Sequence, residues 1–265
     1  MSLENRGTLA GLSASLANFL SAFRFFFFLF LSFLFQFSPA GASDQFGGFR
    51  DYVDGPSLKP FTRDLGGVLG SATFHSGRNL GFPGFDVGVH GGMQFRPDKN
   101  NKALRDAGVR AFGLPWVQAE IGLPFGIDGY IRGISYQGLT IAGGGLRYGF
   151  LKSSEKPWKP QLLLSSVGHS VTHRDFSASH FGLNLVVSMG TPAVSPYVGA
   201  GFDRTRVVVR DSRFDPALNE TAVITLEPRF TTGISLRPKT FTYLQGAFTL
   251  AHGQPGIDMG LGIRF

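Results

Sequence analysis

Residues 168–180, GHSVTHRDFSASH, bring His169, His173, Asp175, Ser177 and His180 into one short stretch. A serine hydroxyl, an imidazole to take its proton and a carboxylate to orient the ring make a hydrolytic nucleophile, and the same rings are metal ligands. Spacing along the chain does not set a nucleophile against a base, however, and the stretch carries no helical i, i+4 pair or other defined ligand spacing. The expectation is no catalytic residue, no metal and no cofactor, with a rim-located hydrolase acting on lipid or peptide as the alternative. A second set is dispersed. Asp86, His90, Gln94, Gln118, Glu120, Asp203, Glu227, Arg229, Gln245, Asp258 and Arg264 each stand out of phase with the apolar residues around them. Opposed acids and bases of this kind either brace a closed interior or line a polar path selective for a small solute. AGGGLRYGF (142–150) offers glycines but neither GxxxxGK[ST] nor a following helix, so no phosphate loop is read there.

The phase of that second set points to the elements that carry it. Phe85, Val87, Val89, Met93 and Phe95 alternate with Asp86, Gly88, His90, Gly92 and Gln94. The same period of two, which side chains follow on a strand, recurs around 117–123, 127–136, 139–150, 161–172, 180–189, 197–203, 224–236, 241–251 and 256–265. Ten strands follow, with Val186 the one apolar residue on the second face of its segment. Ahead of them, Leu58, Phe61, Leu65, Val68, Leu69 and Ala72 recur at helical spacing, although Gly66, Gly67 and Gly70 weaken that helix by about 1 kcal/mol each.

Composition narrows the class. Only 16% of the 265 residues are charged, against roughly 25% in globular domains, which disfavours an ordinary soluble helical enzyme. The net charge of +7 is scattered singly, as at Arg132, Arg147, Arg206, Arg210 and Arg229, and no Lys/Arg run forms a nucleic-acid patch. There is no cysteine, so disulfides and thiolate chemistry are excluded together. FRFFFFLFLSFLFQF places Arg24 before an apolar block from Phe25 to Phe37, and Ala40-Gly41-Ala42 follows. A basic region, a short apolar core and a small-x-small site are the parts of a secretory leader, with cleavage expected after Ala42. An uncleaved anchor is the alternative, since residues 9–23 are also fairly apolar.

Long alternating strands suit either an exported soluble sandwich or a membrane barrel. The second face is rich in glycine, which a crowded lumen needs and a solvated surface does not. Ten residues at about 3.3 Å, tilted by about 40°, span near 25 Å, the height of an outer-membrane apolar band. The expected fold is all-β: a transmembrane antiparallel up-and-down β-barrel of about ten strands, eight to twelve, with a short N-terminal helix. Residues 1–42 are the signal peptide, 43–81 a periplasmic or plug segment, and 82–265 the barrel. With the last strand descending to the periplasm, ten strands place the mature N-terminus on the periplasmic side. Loops at 96–110, Gln137, 173–178, 210–220 and 252–256 then face outward, and 124–127, 152–160, 190–195 and 237–240 face the periplasm. Tyr130, Tyr136, Tyr148, Trp158, Tyr197, Phe241 and Tyr243, near strand ends, are candidates for interfacial aromatic belts.

GIDMGLGIRF (256–265), apolar at alternate positions and ending in Phe, resembles the C-terminal targeting strand of Gram-negative outer-membrane β-barrel proteins. PYVGAGF (196–202) is similar to ascending strands of the same class, and residues 61–92 look like the opening of a small barrel family that begins with a short helix. The resemblance implies an outer-membrane address, surrounding outer-membrane lipid, periplasmic chaperones and the barrel-assembly machinery as partners. It implies that the machinery reads Ile257, Met259, Leu261, Ile263 and Phe265. Fold resemblance does not assign an activity. About eight strands hold only packed side chains and sixteen are needed for an aqueous pore. The expectation is a narrow or plugged channel for passive transport of small solutes, or a structural membrane protein. Asp86, His90, Gln94, Glu120, Asp203, Glu227, Arg229, Asp258 and Arg264 are its lumen and selectivity candidates.

Overall fold

The computed structural model describes residues 44–151, 157–191, 193–239 and 241–265. The expected leader and its cleavage site lie outside the described residues. Ten strands form: β1 (Phe85–Gln94), β2 (Phe112–Gly122), β3 (Ile127–Tyr136), β4 (Leu139–Gly149) and β5 (Gln161–Thr172). These are followed by β6 (Phe176–Ser188), β7 (Val194–Val209), β8 (Ala222–Lys239), β9 (Thr242–Ala251) and β10 (Gln254–Arg264). Each pairs antiparallel with its neighbours in sequence order, and β10 pairs with β1 to close the barrel. The terminal Phe265 completes that seam: its N–H donates to Phe85 O at 2.7 Å and its carbonyl accepts from Phe85 N–H at 3.0 Å.

Closure follows from the alternation. Asp86 and His90 turn into the barrel and are buried, while Val87 and Val89 between them are exposed on its outer wall. The outward row continues around the cylinder through Val117, Ile131, Leu146, Leu183, Val198, Leu226, Phe248 and Ile263. So much apolar surface facing outward is a lipid-contacting belt, since soluble monomers rarely expose apolar patches beyond a few hundred Å². At the end where β1 starts and β10 stops, Phe85, Phe125, Tyr148, Phe150, Trp158, Phe241 and Phe265 are exposed and form an aromatic rim. Tyr148, Trp158 and Phe241 were expected in such a belt. Tyr130, Tyr197 and Tyr243 were too, but they are buried inside the barrel, because their positions share the phase of the inward face.

At the opposite end, which carries the 95–111 and 210–221 loops, the faces invert. Ser170, Thr172, Ser179, Arg204 and Arg206 point out, whereas Leu114, Trp116, Ile141, Val171, Phe176, Val207 and Val209 point in and are buried. β7, with 16 residues, reaches about 40 Å along the barrel axis at a rise of about 3.3 Å and a tilt of about 40°. That exceeds the roughly 25 Å apolar band. The strands therefore run on past the belt into a water-facing collar with an ordinary apolar core.

Residues 44–84 fill this collar and the lumen below it. Two helices, α1 (Phe49–Tyr52) and α2 (Gly55–Leu69), lie at the loop end, with α3 (Lys102–Arg105) from the first loop beside them. α2 starts on a capping box in which Asp54 accepts from Ser57 N and Ser57 Oγ accepts from Asp54 N. Its apolar face joins Phe46, Phe49, Ala103 and Leu104 in the collar core. Phe61 sits 4.7 Å from Phe49 and 5.1 Å from Phe176, ring centre to ring centre. Each such side chain contributes about 1.5–3 kcal/mol on burial. From Gly70 to Gly84 the chain then threads down the lumen to β1.

The direction of this thread corrects one expectation. The mature N-terminus was placed on the side of the short turns, through strand parity. Yet Asp44 lies 3.5 Å from His173 in the β5–β6 loop, and Gln45 N–H donates to Gln137 at the β3–β4 turn, both at the loop end. Parity fixes where β1 starts and says nothing of a segment that first crosses the whole lumen.

Candidate functional site: the plugged lumen

The thread is held by charged side chains that the strands aim inward at successive heights. Near the top, the α2 helix ends, and its last carbonyls have no partners within the helix. Arg229 of β8 donates to Gly67 O at 2.6 Å, and Arg132 of β3 to Leu69 O at 2.5 Å and Ser71 O at 3.0 Å. Both cations meet the negative end of the helix dipole, where positive charge is favoured. Arg229 is itself fixed by Asp203 at 2.7 Å, and Arg132 by His169 at 2.7 Å and by the face of Trp116, 4.5 Å from its centre.

Below that level, Asp258 of β10 accepts from Ala72 N–H at 2.9 Å. Arg147 of β4 donates to Thr73 O at 3.2 Å, pairs with Glu120 of β2 and lies over the Tyr130 ring. Gln118 donates to the same Glu120 at 2.6 Å. Phe74 packs in a small apolar niche with Leu163, Val186 and Tyr197, which explains why Val186 breaks the polar run on its face. His75 stacks on Tyr243 at 4.4 Å, and the Tyr243 hydroxyl reaches Asp86 at 2.9 Å and His90 at 3.1 Å. Near the bottom, Asp128 accepts from Leu80 N–H at 2.6 Å and Gly81 N–H at 3.1 Å, and Arg264 donates to Leu80 O at 3.0 Å.

The candidates from sequence thus all lie on the inner wall. Asp258 and Arg264 contact the thread, Arg229, anchored by Asp203, holds the end of α2, and Gln94 and Glu227 reach α2 at Asp64 and Arg63. Asp86, His90 and Gln245 form a cluster around Tyr243. Sequence reasoning missed Asp128, Arg132 and Arg147. In IDGYIRG the phase was visible, with Asp128, Tyr130 and Arg132 opposite Ile127 and Ile131, but the inner face of that strand was not assigned.

Glycine makes the room. A Cβ on Gly199 would stand 2.5 Å from the Phe74 ring, and one on Gly70 would stand 2.6 Å from Arg229. The glycines that weaken α2 as a helix are those that let its end approach the wall. A cavity lined by Val68, Ser71, Gln94 and Asp258 holds about 10 Å³, room for roughly one water molecule. That space is too small for a solute.

The histidine stretch does not assemble as a nucleophilic site. His169 and His180 point into the lumen and are buried, and His173 is buried between Asp44 and Asp175 under the Phe46 and Phe176 rings. Ser177 lies on the opposite face of β6 from Phe176 and Ala178, and among the described residues no hydrogen bond joins a serine hydroxyl to a histidine. His180 contacts Thr205 at 3.0 Å and Asp203 at 3.5 Å, but all three are buried beneath α2. The described residues hold no cluster able to bind a metal ion. At the collar, burial opposes ionisation of Asp44, but the nearby His173 ring and the Phe46 N–H hold its carboxyl below the usual carboxylate range.

A closed antiparallel barrel with an apolar outer belt, an aromatic rim and charged residues inside is an integral membrane barrel of the outer-membrane class. No family model and no curated protein matches the sequence. Among solved structures, the chain is similar to the N-terminal β-barrel domain of Pseudomonas aeruginosa OprF, at 13% identity and a TM-score of 0.37, over 69% of this chain and 97% of that one. It is also similar to the KdgM porin, at 8% identity and a TM-score of 0.34, over 68% and 99%. Neisserial surface protein A matches at 13% identity and a TM-score of 0.27, over 68% and 94%. At such scores the assignment to the class rests on the barrel's own closure and belt.

Proposed function

We propose that this protein is a self-plugged outer-membrane barrel, closed at rest, whose role is structural: it anchors the collar and its helical cap at the membrane surface. The observation that carries this reading is the row of wall arginines, Arg229, Arg132 and Arg147, hydrogen-bonded to carbonyls of the α2 end and the thread from Gly67 to Thr73. Solute passage is then conditional on the thread leaving the lumen. The lumen candidates from sequence act in this reading as braces, and set selectivity only in an unplugged state. Export through the leader, recognition of Ile257, Met259, Leu261, Ile263 and Phe265 by the assembly machinery, help from periplasmic chaperones and the absence of catalysis belong to the same proposal.

Planar bilayers test it. The intact chain should insert without discrete conductance steps, and a chain lacking residues 44–81, or carrying R132A with R229A, should conduct. Conductance by the intact chain, or silence of a variant that still migrates as a folded barrel on a gel, would overturn the reading. In a conducting variant, charge reversal at Glu227 should change the ratio of cation to anion permeability.

A further inference from the structure

Outside the lumen, the loop between β1 and β2 holds a surface groove of about 580 Å³, lined by Phe95, Arg96, Pro97, Arg105, Val109 and Arg110. Its three arginines differ from the collar cations that face a carboxylate. Arg50 pairs with Asp211, Arg63 with Glu227, Lys102 with Asp54 and Arg174 with Asp175. Arg96, Arg105 and Arg110 are exposed, and among the described residues none of the three guanidinium groups has an ion-pair partner. The acids closest in sequence do not neutralise them: Asp98 accepts from the Asn100 N–H, and Asp106 does not line the groove.

Unpaired guanidinium forks around one hollow call for a compact anion with several acceptor oxygens, and phosphate matches the fork in two-point contact. The groove's other wall says where that phosphate comes from. Phe95 directly follows β1, is exposed, and continues the outward row of Val87, Val89 and Met93. The groove therefore opens at the upper margin of the lipid-contacting belt, where headgroups meet acyl chains. We propose that Arg96, Arg105 and Arg110 bind the phosphate of a membrane lipid headgroup in the outer leaflet, with an acyl chain lying along Phe95. This goes beyond the closed-barrel reading and requires only that the belt sit in a membrane.

The test uses the full folded chain in a neutral detergent, titrated with bisphosphorylated lipid A, with its dephosphorylated form, and with inorganic phosphate, followed by native mass spectrometry. The phosphorylated lipid should be retained, and its affinity should fall as sodium chloride is raised, since exposed charges are screened. The R96A/R105A/R110A chain, checked for folding by heat-modifiable gel migration, should bind at least tenfold more weakly. The corresponding triple lysine variant should recover part of that loss. Equal binding by the alanine variant, or by the dephosphorylated lipid, would overturn the proposal. Displacement of the lipid by sub-millimolar inorganic phosphate would overturn the lipid as the source of the anion. None of these results depends on whether the lumen conducts, so this inference and the closed-barrel reading fail separately.

Discussion

The Asp258 carboxylate accepts the Ala72 N–H at 2.9 Å, joining the last strand of the barrel to a residue 186 positions earlier in the chain. The contact is buried, and it fixes the point where α2 gives way to the extended thread. Removing it with D258A leaves an N–H without a partner in the lumen, at about 1–3 kcal/mol. The temperature at which the barrel loses its compact gel migration should fall, while D258N, which retains an acceptor oxygen, should lose less.

Arg132 makes a larger contribution because one guanidinium serves His169, Leu69 O and Ser71 O and stacks on Trp116. R132A should destabilise by about 2–5 kcal/mol in denaturant titrations, by stranding buried acceptors. R132K keeps the charge but not the fork, and should recover less than half of the loss.

Gly199 and Gly168 form a matched pair. A methyl group at Gly199 collides with the Phe74 ring, whereas one at Gly168 meets nothing closer than 3.9 Å. G199A should cost about 1–3 kcal/mol through overpacking, and G168A should stay within about 0.5 kcal/mol of the parent. Thermal unfolding of the two variants side by side checks this.

The collar should loosen in acid. Asp44 has its carboxyl held below the usual range in the folded chain, so its stabilising contribution is complete above the unfolded value of about 3.9 and is lost as the pH falls through the lowered folded value. Proteolysis at Arg50 by an acid-tolerant protease should accelerate below about pH 4. In D44N that pH dependence should flatten.

Much of this architecture was written in a period of two. Phe265 ends an alternating segment, the strands fall where apolar and small residues take turns, and the charged residues share one phase. The thread was harder to read, because period reports that two faces differ without saying what lies against the inner one. Tyr130, Tyr197 and Tyr243 looked like belt residues because aromatic rings suit an interface and a packed lumen equally. Val186 looked like an exception because its partner, Phe74, belongs to a segment with no period of its own. The collar was missed for a related reason: at Leu114, Trp116, Val207 and Val209 the apolar residues change sides without changing spacing, and only the helices packed against them show why.

Because the thread continues without a break into β1, the cylinder is wrapped around its own leading strand of polypeptide. The seam between Phe85 and Phe265 therefore joins a strand whose own upstream segment occupies the ring. A plug released later would still hang from the first stave, so unblocking here is a leashed excursion and re-closing a first-order return, independent of protein concentration.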